Sequence, residues 1–405
     1  MSSGIDASGP LVLAVNAGSS SLKFGLYPRQ GAALWTGSYE GLEPGGVPAL
    51  KLDGQCEALD GVSDARGGFE VALAHLLATL AARGQTPVAV AHRIVHGGER
   101  FVAPCRIDEF ALAELHRLDS LAPLHQPHNL AGVAAFARAM PGVPQVGCFD
   151  TAFHAGLPAV EQRLPIDRTL ATQGLRRYGF HGLSYQYLRD ELLPRTPAAM
   201  GRVVLAHLGN GASVCAMQGG ASVATSMGFS ALDGLMMGTR SGSLDPGVLL
   251  HLLAQGWDHR RLERLLYKQS GLKGVSGLSA DMRTLRASDR PEAAEAIALF
   301  TRRLVRELGA ILAVLGGVDL LAFTGGIGEH DAQLRAEAVA ALGFAGVRLD
   351  EAANAAARGD AMVAIHAADS RVEVWVLPTD EGRVAARAAF ALLKIESDSA
   401  SSIDK

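Results

Sequence analysis

The stretch of this chain best suited to chemistry is a strand that breaks into glycine and serine and resumes around a lysine. Leu11 to Val15 are apolar, Asn16-Ala17-Gly18-Ser19-Ser20-Ser21 form a tight turn, and Leu22 to Tyr27 return as a second strand. Small residues let backbone N–H groups and hydroxyls come close to an anion, and Lys23 adds a positive charge to the same hairpin. That suits a polyphosphate; read alone, the segment is equally a polar hairpin turn. No glycine is followed by Lys-Ser or Lys-Thr, so it is not a Walker A loop. The pattern returns mid-chain. Arg202 to Leu208 is a strand, Gly209-Asn210-Gly211-Ala212-Ser213 a small-residue turn, and Val214 to Met217 leads back to Gly219-Gly220. Two distant copies of one unit suggest an internal duplication, with chance likeness of two glycine-rich hairpins as the competing reading. Two such hairpins facing each other would clamp one phosphate chain between two domains.

Other charged groups stand at strand ends. Arg93, in His92-Arg93-Ile94-Val95-His96-Gly97-Gly98, offers a fork of donors for a carboxylate or phosphate, or is a surface arginine. Asp150 follows the apolar Gln145–Phe149 directly, where α/β enzymes keep working groups; a solvated loop acid is the alternative. His181 and Arg240 lie among glycines that would admit a bulky anion, although His181 taken singly is a hydrogen-bonded structural histidine. With Lys23 and Arg93, they would neutralise a phosphoryl group in flight. Phe323-Thr324-Gly325-Gly326-Ile327-Gly328-Glu329 runs from a strand through a glycine turn into a helix over Asp331–Leu342, a place for anions or ribose hydroxyls. Pro378-Thr379-Asp380-Glu381 closes the last strand with two acids. Mg2+ takes few protein oxygens, so Glu381 with Asn16 would suffice.

These groups need an α/β scaffold. The first half offers strands at Leu11–Val15, Leu22–Tyr27, Val88–Val95 and Gln145–Phe149, and helices at Gly68–Arg83, Ile107–Leu118 and Asn129–Met140. The second half has strands from Val203 on, at Asp319–Thr324 and at Val372–Pro378. Its longest helix runs from Pro291 to Leu315, with Ser288 or Asp289 near the cap and Gly316-Gly317 as the stop. A helix over Val384–Leu393 precedes a small, polar tail. With 405 residues, 48% apolar content and a net charge of -4, the chain has room for two or three domains and no basic run for nucleic acid. Cys56, Cys105, Cys148 and Cys215 are far apart and read as buried thiols of a reducing compartment. Val203 to Leu232 lacks Asp, Glu, Lys and Arg, yet its His, Asn, Gln, Gly and Ser residues argue against a membrane span. A soluble cytoplasmic protein, with no membrane or nucleic-acid partner, is expected.

Taken together, the segments resemble the acetate kinase (acetokinase) family. The likeness rests on N-A-G-S-S-S-L-K-F at Asn16–Phe24, H-R-I-V-H-G-G-E at His92–Glu99, P-L-H at Pro123–His125, F-D-T-A-F-H at Phe149–His154 and R-R-Y-G-F-H-G at Arg176–Gly182. It continues through H-L-G-N-G at His207–Gly211, T-S-M-G-F at Thr225–Phe229, G-T-R-S-G at Gly238–Gly242, D-M-R at Asp281–Arg283 and F-T-G-G-I-G-E at Phe323–Glu329. These stand in family order over nearly the whole chain. The resemblance implies two duplicated actin-like ATPase (ribonuclease H-like) domains with a nucleotide cleft between them, as in sugar kinases. One would comprise 9–153 with 383–396, the other, which would bind nucleotide and dimerise, 154–382, followed by a flexible tail at 397–405. It also implies a homodimer and a reversible transfer from ATP to acetate, giving ADP and acetyl phosphate.

Carried over residue by residue, Asn16 and Glu381 would serve Mg2+, with Mn2+ as a substitute, and Lys23 the ATP phosphates. Arg93 would bind the carboxylate, with Val95, Leu124, His125 and Phe180 around the acyl group. Asp150, His181 and Arg240 would be catalytic. His207, Leu208, Gly209, Asn210 and Gly211, then Asp281, Met282 and Arg283, then Gly326, Ile327, Gly328, Glu329 and His330 would hold ATP. Departures from the family are His330 and Asp380 for Asn, Ser243 for Asp, Gln126 for Asn, and Ala231 for a Pro seen in some members. The rival readings are a propionate or other short-chain carboxylate kinase and, from another class, a non-catalytic actin-like nucleotide-binding protein.

Overall fold

The computed structural model describes residues 9–52, 55–59 and 67–394; the tail expected at 397–405, and 395–396 before it, lie outside them. The chain divides into two compact units, one running to Ala152 and resuming at Asp380, the other spanning Phe153–Thr379.

The first unit is built on a sheet of β1 (Leu11–Ala17), β2 (Ser21–Pro28), β3 (Trp35–Glu40), β4 (Ala49–Leu52), β5 (Gln55–Ala58), β6 (Pro87–Ile94), β7 (Cys105–Arg106) and β8 (Gln145–Phe149). Their order is β5-β4-β3-β2-β1-β6-β8-β7. β1 to β5 form an antiparallel meander, whereas β6 runs parallel to β1 and β8 parallel to β6. β1 is buried along almost its whole length because both sheet faces are covered. Leu11, Leu13 and Val15 share a core with Leu73, Leu76 and Leu80 of the helix Gly68–Ala82. The helix Glu381–Leu392 lies against β1 and β6. The helix Gln126–Ala139 reaches back with two buried amides. Gln126 exchanges hydrogen bonds with both backbone groups of His96, and Asn129 accepts from Val95 N–H and donates to the Ala17 carbonyl. Those bonds fix the turn after β1 and the segment after β6 together.

The second unit repeats the scheme with β9 (Arg202–Leu208), β10 (Ala212–Gln218), β11 (Ala221–Thr225), β12 (Leu320–Thr324), β13 (Val363–Ala364) and β14 (Glu373–Val376). The order β11-β10-β9-β12-β14-β13 matches β3-β2-β1-β6-β8-β7 of the first unit, with the same antiparallel and parallel senses. The duplication read from the two hairpins is thus a duplication of topology. The helix Pro291–Leu315 buries Ile297, Phe300, Leu304, Leu308 and Ile311 as its periodicity predicts.

Several local expectations change. The cap of that helix is Arg290, and Ser288 instead accepts a hydrogen bond from the Arg290 N–H. The helices expected from Asn129 and Val384 begin at Gln126 and Glu381, helped by Pro127 in the first turn of one and by the Asp380 cap of the other. Gly325–His330, expected as a turn, is helical; Asp331 caps a second helix, Ala332–Ala341. Of the four cysteines only Cys148 and Cys215 are buried, their thiols pushed up to about 12 by burial, whereas Cys56 is exposed and Cys105 partly so. No described helix is long and apolar enough to cross a membrane.

His92, His96 and His154 are buried, and burial pulls each ring from 6.5 down to about 4. Above about pH 6.5 these rings are neutral in both folded and unfolded chains. Between about 6.5 and 4 only the unfolded chain takes up their protons, so stability falls with acidity by about 1.4 kcal/mol per pH unit for each. Glu307 and Glu329, raised by burial, oppose this in smaller number. Thermal melting is expected to show a lower Tm at pH 5 than at pH 7; an equal or higher Tm at pH 5 contradicts it.

Candidate active site

In the first unit, Arg93 at the end of β6 is the central charge. Its Nε and Nη2 donate to Asp150, with Nη2 2.7 Å from Oδ2, and its Nη1 lies 3.2 Å from Oε2 of Glu381. Asp150 is buried, anchored where β8 ends by its N–H to the Ile94 carbonyl at 3.0 Å. Burial alone would lower the Arg93 pKa, but the two carboxylates outweigh it and hold the guanidinium charged. Asn16, Lys23, Arg93 and Glu381 line one small cavity of about 160 Å³. Asn16 and Lys23 face each other across the β1–β2 hairpin. Glu381 is set by its neighbour: Asp380 caps the helix through Arg383 N–H and accepts from the Tyr27 hydroxyl at 2.7 Å. Asp and Asn both cap well, so Asp380 keeps this function. Val95 and Leu124 are half-buried, and His125 caps the helix Gln126–Ala139.

A carboxylate and an amide oxygen on one small cavity are the hard-oxygen donors that suit Mg2+, which needs only one or two protein ligands and completes its shell with water and phosphate oxygens. Among the described residues no cluster of three or more His, Cys, Asp or Glu offers a fuller metal cage. Asn16 and Glu381 therefore fit the ion.

In the second unit, His181 and Arg240 converge on Gly211. A Cβ placed there would lie 3.2 Å from His181 Nε2 and 3.7 Å from Arg240 Nη1. A side chain there would crowd the His181 ring. Arg240 Nη1 is steadied by the Ala231 carbonyl at 3.1 Å, a contact that the backbone supplies whatever the side chain at 231. His181 has a left-handed backbone, φ 59°, as the cap of the helix Gly182–Leu192, and its ring stacks on His207 with centroids 4.3 Å apart. Phe180 beside it is buried, its carbonyl accepting from His154 Nε2.

From Gly209 and Asn210 an open cavity of about 860 Å³ extends past Asp281, Met282, Arg283, Gly326, Ile327 and His330. Eight of the residues predicted to hold ATP are thereby brought together. His207, Leu208, Gly211, Gly328 and Glu329 do not line it. Leu208 is wholly buried, and Glu329 turns back to accept from Gly325 N–H at 2.8 Å and from the Thr324 hydroxyl. That bond caps the short Gly325–His330 helix. Gly325 itself, at φ +77°, has no room for a Cβ, which would fall 2.7 Å from the Leu208 carbonyl. Lys23 lies in the first unit's cavity instead.

Sequence reasoning missed Arg286, Asp331 and Gln333, which also line the large cavity, and the Arg286–Asp331 ion pair in its wall. It also missed Arg335. This arginine is fully buried and donates to the carbonyls of Gly328, Glu329, Asn354 and Ala357 and to the Asn354 side chain. The signal was available: Leu334, Arg335, Ala338 and Val339 form one buried helical stripe, and a charge in such a stripe needs partners.

The family model of the acetokinase family matches residues 11–387. A protein named acetate kinase from Rhodopseudomonas palustris is 46% identical over 395 residues, covering 94% of this chain and 98% of that one. The crystal structure of Porphyromonas gingivalis acetate kinase superposes with a TM-score of 0.85 at 36% identity, covering 95% of this chain and all of that one. A structure titled propionate kinase, from Francisella tularensis, gives 0.85 at 32% identity, with 94% and 98% covered.

Arg335→Lys keeps the charge but cannot reach all these buried acceptors. It is expected to lower stability by about 3 kcal/mol, read as a fall in Tm. A Tm within a degree or so of the parent's contradicts the anchoring role.

Proposed function

The chain belongs to the acetokinase family, and from that premise we propose that it catalyses reversible, Mg2+-dependent transfer of the γ-phosphoryl group of ATP to acetate. An oxygen of the acetate carboxylate forms the new bond to the γ-phosphorus. The bond from that phosphorus to the β–γ bridging oxygen breaks, and ADP leaves with the electron pair. Acetate brings its own nucleophilic oxygen, so the obstacle is repulsion between two anions and the remedy is placed positive charge together with fixed hydrogen-bond donors. The observation that carries the reading is the convergence of His181 Nε2 and Arg240 Nη1 on the bare Gly211, next to a nucleotide-sized cavity.

In this reading Arg240 and His181 donate to the equatorial oxygens of the transferring group, and Lys23 neutralises the phosphates. Gly209, Asn210, Asp281–Arg283 and Gly326–His330 hold the nucleotide, with Leu208, Gly328 and Glu329 shaping its loops from behind. Arg93 binds the acetate. Asp150 occupies Nε and Nη2 of Arg93, so it acts as a positioning residue and not as a base. Glu381 and Asn16 would hold Mg2+, which would supply charge neutralisation to the phosphates. Val95, Leu124, His125 and Phe180 enclose the acyl methyl. Valine at 95 favours acetate over propionate, by a margin of about tenfold to two-hundredfold, because one methylene is worth about 1–3 kcal/mol. The homodimer would use the apolar helix Pro246–Ala254, none of whose residues is buried and whose Leu250 is 67% exposed. The enzyme would work in the cytoplasm, where ATP and Mg2+ are supplied.

Trapping acyl phosphate as the hydroxamate, with ATP and acetate, propionate or butyrate, tests the activity. Acetate is expected to give the highest kcat/KM, and Val95→Ala to narrow the gap mainly by improving propionate. Arg93→Ala and Arg240→Ala should each lower turnover at least about a hundredfold with an unchanged circular-dichroism spectrum. A wild-type preference for propionate selects the propionate kinase reading. Absence of any acyl phosphate, or near-normal turnover of either arginine variant, overturns the assignment.

A further inference from the structure

On the reading that His181 meets the transferring phosphoryl group, we propose that Tyr185 and Ser213 form a hydrogen-bond relay that fixes the His181 ring as the neutral tautomer carrying its hydrogen on Nε2. Both are positioning residues: they act on the substrate only through His181.

The relay is read proton by proton. His181 Nδ1 lies 2.8 Å from the Ser213 hydroxyl on β10. The same Ser213 oxygen is hydrogen-bonded to the Tyr185 hydroxyl, one helical turn beyond His181. Ser213 and Tyr185 are both fully buried. Burial, with Cys215 nearby, raises the Tyr185 pKa well above the ordinary value, so the phenol stays protonated beside the Ser213 oxygen. Its one proton therefore goes to Ser213. Having accepted there, Ser213 directs its own proton to His181 Nδ1, and a neutral imidazole that accepts at Nδ1 carries its hydrogen at Nε2. The reverse direction fails. With a proton on Nδ1 donated to Ser213, the serine oxygen either also accepts from Tyr185, which strands its own proton, or donates to Tyr185, which strands the phenolic proton, in this buried group.

The ring is also prevented from turning away. His207 stacks on it at 4.3 Å, held by the Ser184 hydroxyl at 2.8 Å, which in turn accepts from Thr379 Oγ1 at 3.0 Å. The result is an Nε2–H aimed toward the space over Gly211 that Arg240 also faces. A donor fixed before the substrate arrives needs no reorganisation during the reaction.

The test is nitrogen-15 NMR of histidine-labelled protein, with the His181 signals assigned by their loss in His181→Gln. The relay predicts an unprotonated Nδ1 and a protonated Nε2 in the parent. In Ser213→Ala the tautomers should mix at the same pH, with kcat lowered roughly tenfold, the KM for ATP little changed, and Ser213→Thr recovering most of the turnover. Tyr185→Phe, which removes only the hydroxyl, should give the same mixing and serves if Ser213→Ala does not fold. In a His181→Gln background Ser213→Ala should cost little more. A parent protein protonated at Nδ1, a Tyr185→Phe spectrum identical to the parent's, or an equal loss from Ser213→Ala with and without His181 overturns the relay. Normal turnover in His181→Gln would instead overturn the phosphoryl role of His181, while the NMR result would still decide the relay.

Discussion

A guanidinium held among apolar strand ends persists only where carboxylates or carbonyls surround it, and Arg93 satisfies that requirement with acids from two distant points of the chain. Asp150 comes from the end of β8, and Glu381 from the start of the helix that returns to the first unit. β6 and β8 must therefore be parallel neighbours, and the last helix must dock on β1 and β6. The buried amides of Gln126 and Asn129 keep the chain after Arg93 in line with the first hairpin. The arrangement keeps the guanidinium charged and fixed in orientation.

The second unit solves the complementary problem by leaving room. Gly211 is bare where His181 and Arg240 meet, and the Gly325–His330 helix is tied down from behind by Glu329 and Arg335, so its exposed face can serve a ligand. Polar contacts carry the positioning. Most of the groups nearest the proposed ligands are held by hydroxyls, amides and carbonyls of buried residues, and the apolar core behind them keeps those bonds out of competition with water.

Much of this was legible in the sequence. The paired hairpins announced the duplication, and the groups at strand ends fell where the sheet could fix them: Arg93, Asp150 and Glu381 form one cluster. Strands β3 to β5 were missed because Trp35-Thr36-Gly37-Ser38-Tyr39-Glu40 mixes weak strand formers with aromatics, and pairing to β2 decides its conformation. The helical Gly325–His330 was missed for the opposite reason: glycine disfavours helix, and the Glu329 carboxylate compensates from within. Tyr185 and Ser213 carried no signal, since the helix that puts Tyr185 one turn from His181 has few apolar residues to reveal its period and their meeting depends on β9 and β10 pairing.

The central claim is direct transfer of the γ-phosphoryl group to a carboxylate oxygen. It is tested most directly with acetate labelled with oxygen-18 in both positions, incubated with unlabelled ATP and the enzyme while phosphorus-31 NMR is recorded. The account predicts an acetyl phosphate resonance displaced by one heavy bridging oxygen, rising in step with ADP, with no label in ADP. Acetyl phosphate lacking that isotope shift, or heavy oxygen appearing in a nucleotide, would contradict it.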